Sequence, residues 1–479
     1  MQKRTICFAP WLFPILLVAL FGCGGGSSRA TAPPVTTPPP HGDPQAPTIQ
    51  FTAQPTSIFL RGSSTLSWST TNATSVTIDG LGPVAVSGSQ VVNPAGSQTY
   101  TATATGSGGS AKATVTINVA PTASPIQHVV VLILQNISFD HLYGKFPPVN
   151  GSTIEGLRPG IPGFTQVDAA GKSVSPFLLT DTAPAALPEG HKAYLADLDK
   201  GAMDKFAFTE GDISMGFYDN TIPGIQTFWN YAQQFALADH FFASVNGEAP
   251  SNQLYMVAAA DNNSPFSAEP HFGPCNSPGI VAPAYDFPHV GDQLTTSKIN
   301  WAIFQENYGT CGAFSPLHDP FQFFVDTNNT PFIQDYSQFA GQIAAGTLPT
   351  VTFVSPGVGD DMHPGDGPIS NGIKFTSNLV QQLQSSTLWP NTAIFITWDT
   401  GGGWYDHVPP PAVDAQGLGE RVPFLVLSPF AKTGYVSHVV MDHVSILRFI
   451  QWNWGLPSLN DRNQKSGDVF DMFQFPPHP

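Results

Sequence analysis

Charge is scarce in this chain. Only 11% of its 479 residues are Asp, Glu, Lys or Arg, where about 25% is usual. Positive charge is scarcest: 18 Lys and Arg stand against 34 Asp and Glu, a formal net charge of −16. That net negative charge repels a phosphate backbone, which argues against nucleic acid as a partner. An acidic surface suits an exported enzyme, or one holding a cation, and charge does not choose between them. Cysteine is nearly absent, with four in all. Cys7 and Cys23 sit in or beside an N-terminal apolar stretch, and Cys275 and Cys311 remain. These two lack the close pairing of a structural zinc site. In an exported chain they read as one disulfide. Turn formers are abundant instead. The 45 Gly and 46 Pro make about a fifth of the chain, against about 12% on average. Hydrophobic residues reach 41%, with 35 Phe. That supplies a sizeable core and excludes a disordered chain, a coiled coil and a collagen.

The N-terminus carries Lys3 and Arg4, then an apolar run over residues 6–22, then Cys23. A basic start before an apolar run is an export signal, so residues 1–22 are expected to be a signal peptide. Leu20-Phe21-Gly22-Cys23 resembles a bacterial lipobox. The resemblance implies cleavage before Cys23 and a lipid on its thiol, hence an extracytoplasmic, membrane-anchored bacterial protein. Residues 23–47 are mostly Gly, Ser, Thr and Pro, which makes an extended tether. Residues 48–120 show short alternating apolar runs between Gly, Asn and Ser turns, the pattern of a small all-β sandwich. STLSWSTTNATSVTIDG and GSQTYTATATGSGGSAKATVTINV are similar to bacterial immunoglobulin-like modules. That segment carries no constellation of His, Asp or Glu, so spacing or adhesion is its expected role.

Residues 121–479 read as α/β. HVVVLIL over 128–134, AIFITW over 393–398 and VPFLVLSP over 422–429 are continuous apolar runs. Such runs mark strands buried on both faces. TFWNYAQQFALADHFF over 227–242 and HVSILRFIQWNW over 443–454 have helical spacing. Ligands gather at the carboxyl edge of open α/β sheets. There the first run ends in Gln135-Asn136, and the second in Asp399-Thr400-Gly401-Gly402-Gly403. Oxygen side chains at two such ends can converge on one cation. The glycine run reads equally as a plain turn. Trp404, Trp452 and Trp454 read as core or loop anchors.

IQHVVVLILQNISFDHLYG resembles the opening motif of the bacterial phosphoesterase family, which holds phospholipases C and acid phosphatases. Further matches follow in order, among them YAQQFALADHFFASV, LHDPFQFF, DDMHPGDG, WDTGGGWYDHVPPP and GLGERVPFLVLSPFAKTGYVSH. The resemblance implies an alkaline-phosphatase-like fold with a central, mostly parallel sheet. It implies hydrolysis of a phosphoester or phospholipid, with a divalent metal ion as cofactor. Asn136 and Asp399 fall on metal-ligand positions, while Gln135 and Thr400 stand where the family has acidic residues. Both changes weaken the hold on a hard cation. His191, His318 and His363 fall on the positions of histidines around the phosphate. Asn252 and Asp319 are expected to contact substrate. The nucleophile position falls on Ala249, which has no nucleophilic atom, and Ser251 two residues on is the substitute hydroxyl. Asp140, His141, Asp406 and His407 match motif positions and read as loop braces or site residues.

Two functions follow. One is a phosphoester hydrolase of phospholipase C or acid phosphatase type with a shifted site. The other is a degenerate member that binds a phosphate-containing ligand, or a cell-surface interaction protein. The three lost groups fall on the chemistry itself while the surrounding motifs stay legible.

Overall fold

The computed structural model describes residues 43–261, 271–272, 280–282, 285–327 and 331–476. The expected signal peptide, Cys23, most of the tether and Cys275 lie outside the described residues. Cys311 is disulfide-bonded.

The all-β expectation for residues 48–120 holds. Thr48–Gln54, Ser64–Thr71 and Gly88–Val92 form one antiparallel sheet. Five strands form a second, in which Gln98–Gly106 and Gly109–Val119 make a hairpin. Alternation in sequence becomes alternation in burial: Leu66 and Trp68 point inward while Ser69 is exposed. Phe51, Leu66, Trp68, Ile78, Tyr100 and Ile117 share one small core. The following link is held by Asn453 of the larger unit. Its carbonyl accepts the Ala123 N–H at 2.8 Å, and its Oδ1 accepts the Ser124 hydroxyl at 2.7 Å.

The larger unit is built on an eight-stranded sheet. Its order is Ile333–Asp335, Trp301–Gln305, Val351–Ser355, His128–Leu134, Thr392–Trp398, Phe424–Leu427, Ala236–Ala238, Tyr435–Ser437. All run parallel except Phe424–Leu427. The central mostly parallel sheet expected from the resemblance is therefore present. The apolar runs become its middle: Val129 through Leu134 and Ala393 through Trp398 are buried without a break. Covered faces remove the polar alternation that a half-exposed strand needs.

The helix expected over 443–454 spans His443–Trp454. The Asp442 N–H bonds Ser445 Oγ at 3.0 Å to close a capping box, and Gly455 ends the helix at φ +69. The helical reading of 227–242 is corrected. The helix Ile225–Gln234 stops there, Phe235 turns extended, and Ala236–Ala238 enters the sheet between Phe424–Leu427 and Tyr435–Ser437. Ala-Leu-Ala fits either state, and the backbone partners on both sides decide it.

Leu134 and Trp398 are register neighbours on adjacent parallel strands. Their following loops therefore leave the sheet side by side at its carboxyl edge.

Candidate active site

The two loops interlock at once. The Asp399 N–H bonds the Leu134 carbonyl at 3.0 Å. Asp399 Oδ1 accepts the N–H of Thr400 at 2.8 Å and of Asn136 at 3.3 Å, and its Oδ2 accepts Gln253 Nε2 at 3.1 Å. Asn136 sits at φ +58, a left-handed backbone that asparagine tolerates. Its Oδ1 accepts the Thr400 hydroxyl at 3.0 Å, and its Nδ2 donates to Glu189 at 2.5 Å. Burial pushes the Asp399 carboxyl up to about 7, against the hydrogen bonds from Gln253 and Asn136.

The histidines arrive from other segments. His363 and Asp361 follow the Val351–Ser355 strand. The Asp361 carboxylate accepts the His363 N–H at 3.0 Å and faces His318 Nδ1 at 3.6 Å. His363 Nε2 donates to Glu189 at 3.1 Å. The two rings are driven apart. Burial pulls His363 down, but the Glu189 bond and charge, with Asp366 and Asp361, hold it up at about 9. Burial takes His318 down to about 3, and the His363 charge adds to that. Burial also lifts the Asp361 carboxyl to about 6. One imidazolium and one neutral imidazole thus face the same edge. His191 opens the helix His191–Leu198, and its Nδ1 bonds the Asn246 carbonyl at 2.5 Å.

The helix Ala249–Ala258 places its N-terminal turn nearby, tied in through Gln253. Ala249 is its first residue and is half-buried. Ser251 is fully buried inside that turn. Asn252 spends its amide on the Val245 N–H and on the carbonyls of Val245, Gly247 and Glu248. Asp319 is fully buried and caps the turn Pro320–Phe323, taking Phe321 N–H at 3.0 Å and Gln322 Nε2 at 3.2 Å. Both residues expected to contact substrate therefore hold the walls.

The loops themselves are braced by Arg421. Fully buried, it bonds Asp406 through Nε at 2.8 Å and Asp140 through Nη2 at 3.2 Å. His407 Nδ1 lies 2.5 Å from Asp140 Oδ2, and His141 bonds the Gly216 carbonyl at 2.8 Å. The glycine run has a packing reason at each position. A Cβ at Gly401 would collide with Glu420 Oε2. One at Gly402 would meet Asn136 Cβ at 2.6 Å, and one at Gly403 would meet Leu187 Cβ at 3.1 Å.

Glu189, Asp361, Gln253 and Glu420 went unseen in the sequence. Each lies inside or beside a matching motif, but nothing in their spacing marks them.

The strand-end residues fit a divalent cation poorly. Gln135, Asn136, Asp399 and Thr400 hold one carboxylate between them, and both of its oxygens already accept N–H bonds. Gln135 Nε2 is a buried donor without an acceptor, the wrong sign for a metal. Asn136, Asp399 and Thr400 close on one another. Among the described residues two other clusters bring ligand atoms within 4.8 Å: Asp140–Asp406–His407 and His289–Asp292–Asp326. Arg421 already neutralises the first. The second sits at the start of the helix Val290–Thr296, where His289 caps the helix.

The chain is 25% identical over 410 residues to a non-hemolytic phospholipase C of Pseudomonas aeruginosa, covering 73% of this chain and 57% of that protein. It is 26% identical over 422 residues to phospholipase C B of Mycobacterium tuberculosis, covering 74% and 79%. It is 27% identical over 356 residues to non-specific phospholipase C6 of Arabidopsis thaliana, covering 65% and 63%. Among solved structures, a lipoteichoic acid synthase of Listeria monocytogenes aligns at TM-score 0.37 with 8% identity, covering 71% and 76%. A Vibrio parahaemolyticus protein of the alkaline phosphatase superfamily aligns at 0.34 with 11% identity, covering 64% and 72%. The Phosphoesterase family matches residues 126–457, which hold the whole sheet and every histidine of the site, and the chain belongs to that family.

Proposed function

We propose that this chain hydrolyses phosphoesters of the kind met by phospholipases C, at the carboxyl edge between Asn136 and Asp399. One observation carries the reading: four titratable groups moved far from their ordinary values share one edge of the sheet. They are Asp399 at about 7, Asp361 at about 6, His363 at about 9 and His318 at about 3. Buried charge costs stability, and such shifts cluster where chemistry is done. The names of the relatives supply the substrate class.

The roles follow from the protonation states. His363 is an imidazolium at neutral pH, and its Nδ1–H has no hydrogen-bond acceptor, with Asp366 at 3.6 Å. It offers that proton to the ester oxygen of the leaving alcohol. His318 is neutral, and its Nδ1 is also without a hydrogen-bond partner. A phosphoester anion beside it raises its basicity. Water then attacks phosphorus, His318 takes the proton from water, the ester oxygen–phosphorus bond breaks, and the alcohol leaves with a proton from His363. No covalent enzyme intermediate forms at Ala249, which lacks the atom for it.

A second reading has its own support. Ala249 is the first residue of the helix Ala249–Ala258, whose N-terminal N–H groups favour an anion, and it carries no nucleophilic atom. On that reading the site binds the phosphate group and does not turn it over. The test is hydrolysis of p-nitrophenyl phosphate and of phosphatidylcholine vesicles by the purified chain, alongside binding of inorganic phosphate. Turnover lost in His363→Ala supports the hydrolase. Phosphate binding without turnover in a folded sample replaces it with the binding reading. We also propose export and lipid anchoring at Cys23, tested by labelled palmitate incorporation in wild type and Cys23→Ala. On that reading the all-β unit and its tether set the distance from membrane to site.

A further inference from the structure

A larger pocket lies close to the strand ends, and its chemistry is unlike theirs. It measures about 420 Å³, inside the range of roughly 300–1,000 Å³ of small-molecule sites. Val413, Leu418, Val440 and Met441 give it an apolar lining, with Asp442 and Arg462 in the wall. The wall's charges are spent inside the wall. The Arg462 guanidinium donates to Asp414, to Asp442 at 2.8 Å and to the Ser244 carbonyl at 2.8 Å. Asp442 also accepts the hydroxyls of Ser466 at 2.7 Å and Ser244 at 3.0 Å. Polar groups already satisfied offer a ligand little beyond contact with carbon. No aromatic ring lines the pocket, so a flat heterocycle finds no stacking partner. At the mouth the apolar groups meet water: Val413 is 47% exposed, Val440 41% and its neighbour Val439 38%. An exposed apolar cluster with a polar rim marks a surface that something apolar covers. On the rim Lys465 is matched by Asp461 at 3.5 Å, so no unmatched cation waits for an anionic head.

Short stretches of chain join this pocket to the proposed site. Leu418 lines it, and Glu420, two residues on, packs against Gly401 at the strand end. Two residues of chain reach at most about 7 Å. Arg462 in the wall lies over the ring of Tyr255, 5.4 Å from its centroid, and Tyr255 belongs to the helix Ala249–Ala258. We infer that this pocket holds one aliphatic chain of the alcohol half of the substrate, while the phosphate lies at the sheet edge. The inference rests on the hydrolase reading for the phosphate. It adds what the alcohol is: a neutral, glycerol-like alcohol that carries a long alkyl or acyl chain. Each methylene buried in the pocket multiplies affinity by about fourfold. A sugar phosphate or a nucleotide leaves the pocket empty and gains nothing from it.

Binding is measured first, because it does not depend on turnover. Monoalkylglycerols of hexyl, octyl, decyl and dodecyl length carry no phosphate and cannot be hydrolysed. Titrated by calorimetry into the intact chain, below micelle formation, they are expected to bind one per chain. Affinity is expected to rise about fourfold per methylene and to level off once the pocket is full. Val440→Asp sets a charge in the mouth at an exposed position. It is expected to lose at least about tenfold in alkylglycerol affinity and to keep its melting temperature and its binding of inorganic phosphate. In hydrolysis the same variant is expected to raise KM for dodecylphosphocholine at least about tenfold and to leave p-nitrophenyl phosphate turnover unchanged. If Val440→Asp does not fold, Val413→Asp takes its place. No alkylglycerol bound by wild type overturns the inference, and so does equal binding by the variant. Alkylglycerol binding with an unmoved KM for dodecylphosphocholine makes a free amphiphile the ligand and overturns the substrate assignment. A wild type that binds alkylglycerols through Val440 but turns over no phosphoester defeats the hydrolase reading and leaves the chain site standing.

Discussion

Glu189 and His363 are joined at 3.1 Å, on the same carboxylate oxygen that accepts Asn136 Nδ2 at 2.5 Å. One surface-facing acid thus ties a strand-end asparagine to the imidazolium of the neighbouring loop. That pairing keeps His363 charged at neutral pH.

The pair makes stability depend on pH. His363 moves from 6.5 to about 9 on folding, with burial opposed by Glu189 first and by Asp366 and Asp361 after it. A raised value in the folded state means the stabilisation is complete below about pH 6.5 and is lost as pH rises through 9. Glu189→Gln is expected to flatten that fall and to cost roughly 1 kcal/mol at pH 6.5, since solvent screens a partly exposed pair. Urea unfolding of both proteins at pH 6.5 and 9.5 measures it. Parallel pH profiles would refute the assignment.

Asp399 carries the opposite sign. Its folded value of about 7 lies above the ordinary 3.8, chiefly through burial. The neutral acid is favoured by the fold, so stability falls as pH climbs from about 4 to about 7 and stays lower above. Asp399→Asn is expected to gain on the order of 1 kcal/mol at pH 8. The Gln253 amide can turn to meet the new amide group, because its Oε1 has no partner in the wild type. Hydrolysis is expected to fall at least about tenfold in the same variant. Loss of stability together with loss of activity would show that Asp399 is structural.

Arg421 is a costly side chain to remove. Two buried carboxylates, Asp140 and Asp406, depend on it. Arg421→Met is expected to destabilise by roughly 3–5 kcal/mol, because it leaves those charges unpaired. Chemical denaturation gives the number, and a change under about 1 kcal/mol would contradict the bracing role.

On the proposed hydrolase reading, Ala249 is the position to rebuild. Ala249→Ser places a hydroxyl at the first residue of the helix, where backbone N–H groups favour its alkoxide. Hydrolysis of p-nitrophenyl phosphate is expected to rise by at least about tenfold. Ser251→Ala, at a fully buried position, is expected to leave the rate within about twofold. A collapse of activity in Ser251→Ala would instead make that hydroxyl the nucleophile.

Much of this molecule is readable in its sequence. Unbroken apolar runs such as 128–134 leave no face for water, so they became the covered middle of the sheet. His443–Trp454 was legible to the residue, because apolar spacing, the Asp442 cap and Gly455 agree. The ambiguous stretch was 235–238, where three small apolar residues satisfy helix and strand alike. The histidines of the site were legible only through the family resemblance, since a lone histidine has no pattern of its own.

The sequence by itself determined the sheet's middle strands, the all-β unit before them and the uncharged side chains of Gln135, Thr400 and Ala249. Those are local matters of hydrophobicity, period and side-chain identity. Tertiary structure alone decided which distant side chains meet at the strand ends. Glu189 reaches His363 across 174 positions, and Gln253 reaches Asp399 across 146. Glu420 lies against Gly401 only because that position carries no Cβ. Charges interact through space, and burial sets how strongly, so neither partner nor strength is written in the spacing along the chain.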